Sequence, residues 1–415
     1  MMKAILKHLS NTSAFYLQAS MLVSFLAGSS APKQLNSFSA AQYGSPPAMP
    51  TLIYAVYAFS AIVALFAFGS LSDYVGRRPV LAVAALLQVI VMWLFARLEA
   101  SDLVDGVVVT RIVQGIASGG AASAIGAGLL DIDRTKGTFA SAVAPLLGIA
   151  LASLTWSLSE FQVLPARLAC AIFGVIFMIQ AIGVLLMPET LMSRAGMFAW
   201  LKPGFRFSRE LRRPLLSVTP AQLSCWAVVG YFCSFAPEWA QFHALMSASP
   251  PVSSGWVFHA DFHAPPPSQG LGALALCAFA LSALAAVFLT RARSPRFVTR
   301  LGLVGQVMGI ALTLPASGID SPPMFFLACV IAGGGVGAVF QAALRSVLPL
   351  ASPPERAGVS SVLCLVACLA AALPPVLAAL PLYSQVKWTQ YLACVVLLAV
   401  FALVVSLRER APRLA

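Results

Sequence analysis

Charged residues are scarce in this chain: Asp, Glu, Lys and Arg make up only 10% of its 415 residues, while hydrophobic residues make up 60%. An ordinary soluble domain carries roughly 25% charged residues, so the composition argues against a water-soluble fold. Several functional motifs are also missing. The chain has no H-E-x-x-H, G-x-S-x-G or G-x-G-D pattern and no G-x-x-x-x-G-K-[ST] nucleotide loop. We therefore expect neither an intramembrane enzyme nor an ATP-driven protein, and no cofactor.

Cysteine is absent from the polar segments, because all eight cysteines lie inside apolar runs. At such positions cysteines are small buried apolar residues, and neither a disulfide framework nor a zinc site is indicated. One outward loop contains "HADFH", in which His259, Asp261 and His263 alternate. Two histidines and one acid in a proline-rich loop do not make a metal site by themselves, so we expect no bound metal.

Apolar runs of about 20 residues recur along the whole chain, and each is long enough to cross a hydrocarbon core about 30 Å thick as a helix. The runs lack the alternation of a barrel strand, and in lipid the backbone must satisfy its own polar groups. The expected fold is an all-α membrane protein with twelve transmembrane helices. The predicted spans are 13–32, 51–71, 79–98, 104–130, 138–157, 164–187, 217–242, 270–290, 297–315, 323–347, 358–380 and 389–407.

The positive charges lie on one side of these spans. Of the 26 Lys and Arg residues, only Lys33, Arg97, Arg167 and Lys387 are predicted to face outward, and Arg111 lies within a span. This asymmetry follows the positive-inside rule and places both termini in the cytoplasm, with the protein in the plasma or inner membrane. The net charge of +12 is then explained by the orientation of the chain in the membrane, and we expect no nucleic-acid partner. A cleaved signal peptide would leave an odd number of spans, so we expect the first span to be retained.

One long basic segment separates the spans into two sets of six. We divide the chain into an N-terminal bundle at 1–190, a cytoplasmic linker at 191–216 and a C-terminal bundle at 217–415. The aromatic and basic residues of the linker suit either a segment that lies on anionic lipid or a solvated connector.

Each half contains a glycine-rich span followed by a charged turn. The first has "QGIASGGAASAIG" and then "DIDRTKG", and the second has "AGGGVGAVF" and then "SPPERAG". Arg134 and Arg356 are 222 residues apart in these turns, which indicates a duplicated unit. Glycine pairs with the i, i+4 spacing of a close helix contact lie in both spans: Gly115 with Gly119, and Gly333 with Gly337.

The loop "GSLSDYVGRRPV" between the second and third spans combines charge and glycine. Gly69, Asp73, Gly76, Arg77 and Arg78 follow the pattern G-x-x-x-D-x-x-G-R-[RK]. On this motif the chain resembles the major facilitator superfamily, where the pattern occupies the same loop on the same membrane side. "RIVQG" in the fourth span and "PET" after the sixth are similar to further motifs of that family.

The fifth span contains "APLLG", which is similar to the G-P-x-x-G motif of the drug and metabolite:proton antiporter branch, with Ala144 in place of the first glycine. Pro145 and Gly148 would bend or thin this span. In antiporter relatives that motif is tied to export.

The resemblance implies two six-helix bundles that rock about a central site, with the charged loop as a latch that closes the cytoplasmic face. By position, Arg77 can reach Asp131 at the end of the fourth span. Asp73 can lie at the N-terminus of the eleventh span, near Gly358, where the helix dipole is positive. The second half keeps arginines between its eighth and ninth spans without the matching Gly and Asp, so we expect an asymmetric latch. The alternative interpretation of the loop is a topology signal alone.

Polar residues within spans are the candidates for a substrate or proton pathway, because charge in the hydrocarbon region is costly. Arg111 is predicted to face the central cavity, with Gln114 one turn further along. In relatives this arginine is linked to proton coupling or substrate binding; the alternative is a structural bond to backbone carbonyls. Glu238 in the seventh span is the best carboxylate for proton exchange, or else an interfacial anchor. Gln18 is the main deep polar group of the first span, which carries no acid.

Aromatic residues at cavity depth suit an amphipathic organic ligand, or pack against their neighbours. They are Tyr54, Tyr57, Trp226, Tyr231 and Phe235. The sequence therefore predicts a monomeric secondary transporter that exports a small organic drug or metabolite in exchange for protons. The alternatives are uptake by proton symport and, in a different class, a non-transporting membrane sensor.

Overall fold

The computed structural model describes residues 10–29, 49–68, 71–97, 103–189, 207–247, 268–318, 321–379, 399–400 and 402, and the regular secondary structure within these ranges is helical. The helices of the first half are α1 (Asn11–Gly28), α2 (Met49–Phe68), α3 (Leu71–Val75), α4 (Arg77–Arg97), α5 (Leu103–Ile132), α6 (Arg134–Glu160) and α7 (Ala166–Leu186). Those of the second half are α8 (Arg209–Ser247), α9 (Ser268–Thr290), α10 (Pro295–Gly318), α11 (Pro322–Val347) and α12 (Arg356–Ala379). Two short 3₁₀ turns, Leu348–Leu350 and Pro353–Glu355, connect α11 to α12.

Nine helices in the described part of the chain are long and apolar enough to cross a membrane, and the stretch Ala55–Phe68 of α2 is a shorter apolar helix. The prediction of an all-α membrane protein is confirmed at this level. The number twelve stays a prediction, because most of the last predicted span, 389–407, lies outside the described residues.

α8 differs most from the prediction, since it begins at Arg209, within the segment assigned to the linker. Leu211 and Leu215 are one turn apart and buried in the core of the second half, so the helix continues well before the predicted start at 217. The charges of "RELRRP" mask this continuation in a hydropathy pattern. The helix therefore begins eight residues before the predicted span, while the division of the chain into two bundles and a linker at 191–216 stays a prediction.

Two hydrophobic cores support the two halves. Phe95 and Phe177 are fully buried in the first half, where α4 packs against α7 and α2 against α5. Phe232 and Phe325 are fully buried in the second half, where α11 packs against α9 and α10. The halves meet along two edges: α6 packs against α9, and α12 packs against α2 and α5.

The glycine pairs lie at close helix contacts, as predicted. A Cβ atom on Gly115 would lie 2.6 Å from the backbone oxygen of Tyr57, so α5 and α2 touch backbone to backbone. A Cβ atom on Gly337 would run into the backbone oxygen of Ala283 and bring α11 too close to α9. Equivalent helix pairs in the two halves thus pack closely in the same way, with glycine at the point of contact.

Candidate functional site

A line of ion pairs crosses from one half to the other at one end of the bundle, which we call the charged end. Asp73 Oδ1 lies 2.7 Å from Arg77 Nη1, and Arg77 Nε lies 3.3 Å from Asp131 Oδ2. Asp131 Oδ1 lies 2.7 Å from Arg356 Nη1, which joins the end of α5 to the start of α12. Arg77 is fully buried, and the other three side chains are less than 10% exposed. The cluster contains two acids and two bases, so its charges balance.

Glu189 holds the backbone at the turn between α3 and α4. Its two carboxylate oxygens accept hydrogen bonds from the backbone N–H groups of Arg77 (2.9 Å) and Arg78 (3.1 Å), at the start of α4. A carboxylate at a helix N-terminus also interacts favourably with the helix dipole. Gly76 has φ +103°, and a Cβ there would lie 2.6 Å from Glu189 Oε2. The positive φ favours glycine at this position, and any larger residue would also displace the Glu189 carboxylate.

The structure brings Arg77 and Asp131 together, as their positions predicted, and it pairs Asp73 with Arg77. Gly69 lies outside the described residues. The sequence interpretation missed Arg356 as the contact from the second half. The signal was present, because Arg356 is the counterpart of Arg134 in the repeated charged turn.

A second carboxylate ties two helix starts together at the charged end. Glu355 Oε1 accepts a hydrogen bond from the backbone N–H of Ser208 (2.7 Å), just before α8, and Oε2 accepts from the backbone N–H of Ser352 (3.2 Å) and from its hydroxyl. Burial alone would raise the pKa of Glu355, but these hydrogen bonds stabilise the carboxylate and lower its pKa below the ordinary value. The start of α8 is thereby held beside the start of α12.

A central cavity of about 300 Å³ lies between the two halves. Helices α1, α2, α5 and α6 contribute its wall on one side, and α8, α9, α11 and α12 on the other. The wall is mostly apolar. Arg111 is the one charged side chain among the described residues that line it.

Arg111 is held in place by the outer end of α1. Its Nη1 donates to the backbone oxygen of Ser29 (3.1 Å) and to Gln114 Oε1 (2.6 Å), and Gln114 Nε2 donates to the backbone oxygen of Gly28 (3.2 Å). The guanidinium carbon also lies 4.9 Å from the ring centre of Tyr57. The structural alternative for this arginine, a bond to backbone carbonyls, is therefore present. Arg111 lines the cavity at the same time, so the two roles are compatible.

Trp226 and Pro145 also line the cavity. Tyr231 does not: it is 2% exposed, its hydroxyl lies 3.2 Å from Thr313 Oγ1, and it stacks on Phe235 in the core. Of the two alternatives for Tyr231 and Phe235, these contacts favour packing against neighbours, and a role of Tyr231 in a substrate pathway stays an untested prediction. Five residues along a helix turn a side chain by roughly 140° relative to Trp226, which moves Tyr231 to another face.

Gln18 packs within the first half, and its part in a substrate or proton pathway stays a prediction. It is fully buried, its Nε2 lies 3.3 Å from Met187 Sδ, and its amide lies against Gly128, away from the residues that line the cavity. Gly148 brings α6 against α1, because a Cβ there would lie 2.7 Å from the Cβ of Leu26. The side chains of Glu238 and Tyr54 lie outside the described part of the structure.

The halves touch at both ends of the edge formed by α6 and α9. Near the charged end the rings of Phe139 and Phe288 meet edge to face at 5.4 Å. Near the opposite end Ser157 Oγ donates to the backbone oxygen of Gly270 at 3.2 Å. This edge therefore closes the central cavity from the side.

Comparisons with known proteins agree with this architecture. Residues 9–373 match the family profile described as Major Facilitator Superfamily. No curated protein sequence matches the chain. The crystal structure of the human organic anion transporter MFSD10 (TETRAN) is similar with a TM-score of 0.68 at 15% identity, covering 96% of this chain and 100% of that one. A mutant of the nucleoside transporter NupG is similar with a TM-score of 0.61 at 14% identity, covering 94% and 97% of the two chains. At these identities the likeness is one of fold.

Proposed function

This chain belongs to the major facilitator superfamily of secondary transporters, and from that premise we propose that it exports a small, largely apolar organic compound in exchange for protons. The transported compound binds in the central cavity and carries an anionic or electron-rich group. The two halves rock about that cavity, as the fold permits.

One observation carries this proposal: the described wall of the cavity is apolar apart from a few hydroxyl groups, the Trp226 indole and one cation, Arg111. A volume of about 300 Å³ is at the lower end of the range for small-molecule sites, about 300–1,000 Å³. A cation in a mostly apolar, low-dielectric wall favours a ligand of opposite charge. The ring of Trp226 on the other half offers a flat apolar surface to the same ligand.

The charged end supports the rocking motion. With the positive-inside orientation it faces the cytoplasm, and its ion pairs keep that face closed. The Asp131–Arg356 pair joins the halves and can be replaced by water when they separate. A pair of this kind biases a two-state equilibrium by a few kcal/mol, which is the scale that a reversible latch needs.

The proposed direction of transport and the proposed coupling to protons depend on residues of α6 and α8. Pro145 of the antiporter-like stretch lines the cavity, and Gly148 in the same stretch lets α6 contact α1 closely. Glu238 lies in α8 and is our candidate for the proton-carrying group. Uptake by proton symport is the alternative, and it predicts the opposite response to a pH gradient.

The test uses purified protein in sealed vesicles and two matched probes, a fluorescent aromatic carboxylate and the corresponding amide. We expect the carboxylate to accumulate when the vesicle interior is acidic, and a proton uncoupler to abolish the accumulation. Accumulation only with an acidic exterior, and beyond that in protein-free vesicles, where the neutral acid crosses the bilayer by itself, would establish symport. Binding of the probe without any movement would identify a sensor, and preferential transport of the amide would contradict the anionic substrate.

Arg111 provides the matched variants for this assay. Arg111→Ala removes the charge and should reduce carboxylate transport at least tenfold, the factor that corresponds to a loss of about 1.4 kcal/mol. Arg111→Lys keeps the positive charge but lacks the planar guanidinium group, so this variant should retain part of the activity. Arg97→Ala is the control, because Arg97 lies against Trp93 and not among the described cavity residues.

A further inference from the structure

A long groove on the side of the first half is larger than the central cavity. It runs between α1, α6 and α7, and it reaches the charged ends of α9 and α11. Its volume is about 1160 Å³. Along α6 the groove extends from Arg134 to Leu151, a rise of roughly 26 Å at about 1.5 Å per residue. One leaflet of hydrocarbon is about 15 Å deep, half of the roughly 30 Å core, so the groove is deep enough for an acyl chain.

The groove opens sideways, toward the lipid. Tyr16, Leu147 and Leu151 line it and are 67%, 38% and 38% exposed. These side chains face the surroundings of the bundle, which in a membrane are acyl chains. A molecule can therefore enter the groove from the bilayer without passing through water.

The polar side chains of the inner wall bond to one another. Ser24 Oγ donates to Gln180 Oε1 at 2.9 Å, and Gln180 Nε2 donates to Ser20 Oγ at 3.2 Å. Gln341, which also lines the groove, accepts a hydrogen bond at its Oε1 from Thr290 Oγ1 behind the wall at 2.9 Å. The rest of the deep wall is apolar. This wall suits a hydrocarbon chain better than a polar solute, because a polar solute would find few hydrogen-bond partners there.

The mouth of the groove is strongly basic. Arg134 and Lys136 come from the start of α6 in the first half, and Arg291 and Arg345 come from the second half. No Asp or Glu is among the described residues that line the groove. The nearby Asp133 caps α6 and lies 3.8 Å from Lys136 Nζ, an exposed pair within the first half. Cations from both halves thus line the same mouth, and the described part of its wall contributes no carboxylate.

On the other edge of the interface, formed by α5 and α12, the corresponding arginine has a carboxylate partner. There Arg356 meets Asp131, and the pair joins the halves. Arg134 is the counterpart of Arg356, 222 residues earlier, and the residue 222 positions after Asp131 is Pro353. On the edge formed by α6 and α9, the duplicated arginine lines the groove together with Arg291 and Arg345, and Arg345 Nη1 donates to the backbone oxygen of Arg293 at 3.1 Å.

We propose that the groove binds an anionic phospholipid from the leaflet at the charged end. One acyl chain lies between α1, α6 and α7, and the phosphate lies among the four cations. The lipid phosphate then joins the two halves on the α6–α9 edge, as Asp131 joins them on the other edge.

The test is native mass spectrometry of the full-length protein in detergent, with phosphatidylglycerol and phosphatidylcholine of identical acyl chains. We expect one phosphatidylglycerol to be retained in preference to phosphatidylcholine. The double variant Arg134→Gln/Arg345→Gln should weaken this retention roughly 25-fold, because each Lys or Arg contributes about 1 kcal/mol, or about fivefold, toward anionic lipid. Arg212→Gln/Arg213→Gln removes the same charge from an exposed part of α8 outside the groove and should retain the lipid as the unmodified protein does.

The acyl chain is tested separately. Leu147→Trp fills the groove and should reduce retention with every cation in place, whereas Ile179→Trp, on a 62% exposed position of α7 outside the lining, should not. The variant Arg134→Lys/Arg345→Lys keeps the charge and should bind the lipid even if the glutamine variant folds poorly.

Three results would overturn the proposal. The first is equal retention of both lipids, and the second is unchanged retention after loss of Arg134 and Arg345. The third is complete displacement of the lipid by excess inorganic phosphate, since this would identify a plain anion site with no acyl contribution.

Discussion

Loss of the Asp131 carboxylate should release the charged end. Asp131 is the side chain through which the buried Arg77 of the first half is connected to Arg356 of the second. The substitution Asp131→Asn keeps the size of the side chain and one acceptor oxygen but removes the charge that both arginines share. We expect the variant to insert and fold, and to spend much less time with the charged end closed.

The magnitude follows from burial. Removing one partner of a buried ion pair costs about 3–5 kcal/mol, since the other charge is left uncompensated. Arg77 keeps Asp73, and asparagine still accepts one hydrogen bond, so we expect a cost at or just below the lower limit of that range, about 2–3 kcal/mol against the closed arrangement. When the end opens, Arg356 regains water and this cost disappears. The ratio of closed to open protein should therefore fall about 30- to 150-fold, at about 1.4 kcal/mol per factor of ten.

Spin labels on both sides of the pair measure this ratio. Val75 in α3 and Arg213 in α8 are exposed and lie in opposite halves, so cysteines at these positions report the opening of the charged end in a distance distribution. Asp133→Asn is the matched control, because Asp133 pairs with Lys136 of its own half and is 35% exposed. In a double-mutant cycle, Asp131→Asn and Arg356→Gln should be strongly non-additive. An unchanged distance distribution for Asp131→Asn, or an equal shift for Asp133→Asn, would refute the latch.

Three further substitutions test the local arguments by thermal unfolding in detergent. Gly76→Ala should lower the melting temperature, because a left-handed backbone costs an L-residue about 1–2 kcal/mol and the Cβ would meet the carboxylate of Glu189; an unchanged melting temperature would contradict this. Gly337→Ala should destabilise by about 1–3 kcal/mol through overpacking, whereas Gly334→Ala, where a Cβ meets no atom within 4 Å, should not. The lowered pKa of Glu355 means that its contribution is present above the ordinary pKa and is lost as the pH falls through the lowered value. The stability difference between the unmodified protein and Glu355→Gln should therefore shrink on going from about pH 6 to about pH 4, and a constant difference would be evidence against this role.

The sequence predicted the ends of a helix well where a proline or a polar residue directly borders the apolar run. The tenth predicted span, 323–347, agrees with α11, because Pro322 suits the first turn of a helix and the apolar run stops at Val347. The fifth, 138–157, was too short at both ends. Hydropathy marks only the part of a helix within lipid, whereas α6 begins after its cap Asp133 and ends at Glu160.

The relation between the halves was harder to predict. Asp131 and Arg356 are 225 residues apart, and their contact depends on how two separately folded bundles meet. The motif pointed to Asp73, Arg77 and Asp131 in one half and, in the other, to the start of the eleventh span near Gly358, but it did not identify Arg356 as the side chain that meets Asp131. The orientation of Tyr231 was left open for a related reason, since aromatic residues on every face of α8 are apolar and only packing decides which of them face the cavity.

The two edges of the interface suggest that the cycle of this transporter depends on its membrane. If the halves rock as rigid bodies, the charged end can open only when both edges separate. On the edge of α5 and α12, the resistance comes from a neutral cluster within the protein, which salt screens little because the side chains are buried. On the edge of α6 and α9, the exposed cations repel one another unless an anion lies between them.

The resistance to opening on the α6–α9 edge should therefore increase with the anionic lipid content of the bilayer. In vesicles of zwitterionic lipid alone, the charged end should therefore open more readily than in vesicles containing phosphatidylglycerol. The distance between spin labels at Val75 and Arg213 measures this difference. An identical distance distribution in the two lipids would mean that the α5–α12 edge alone controls the opening.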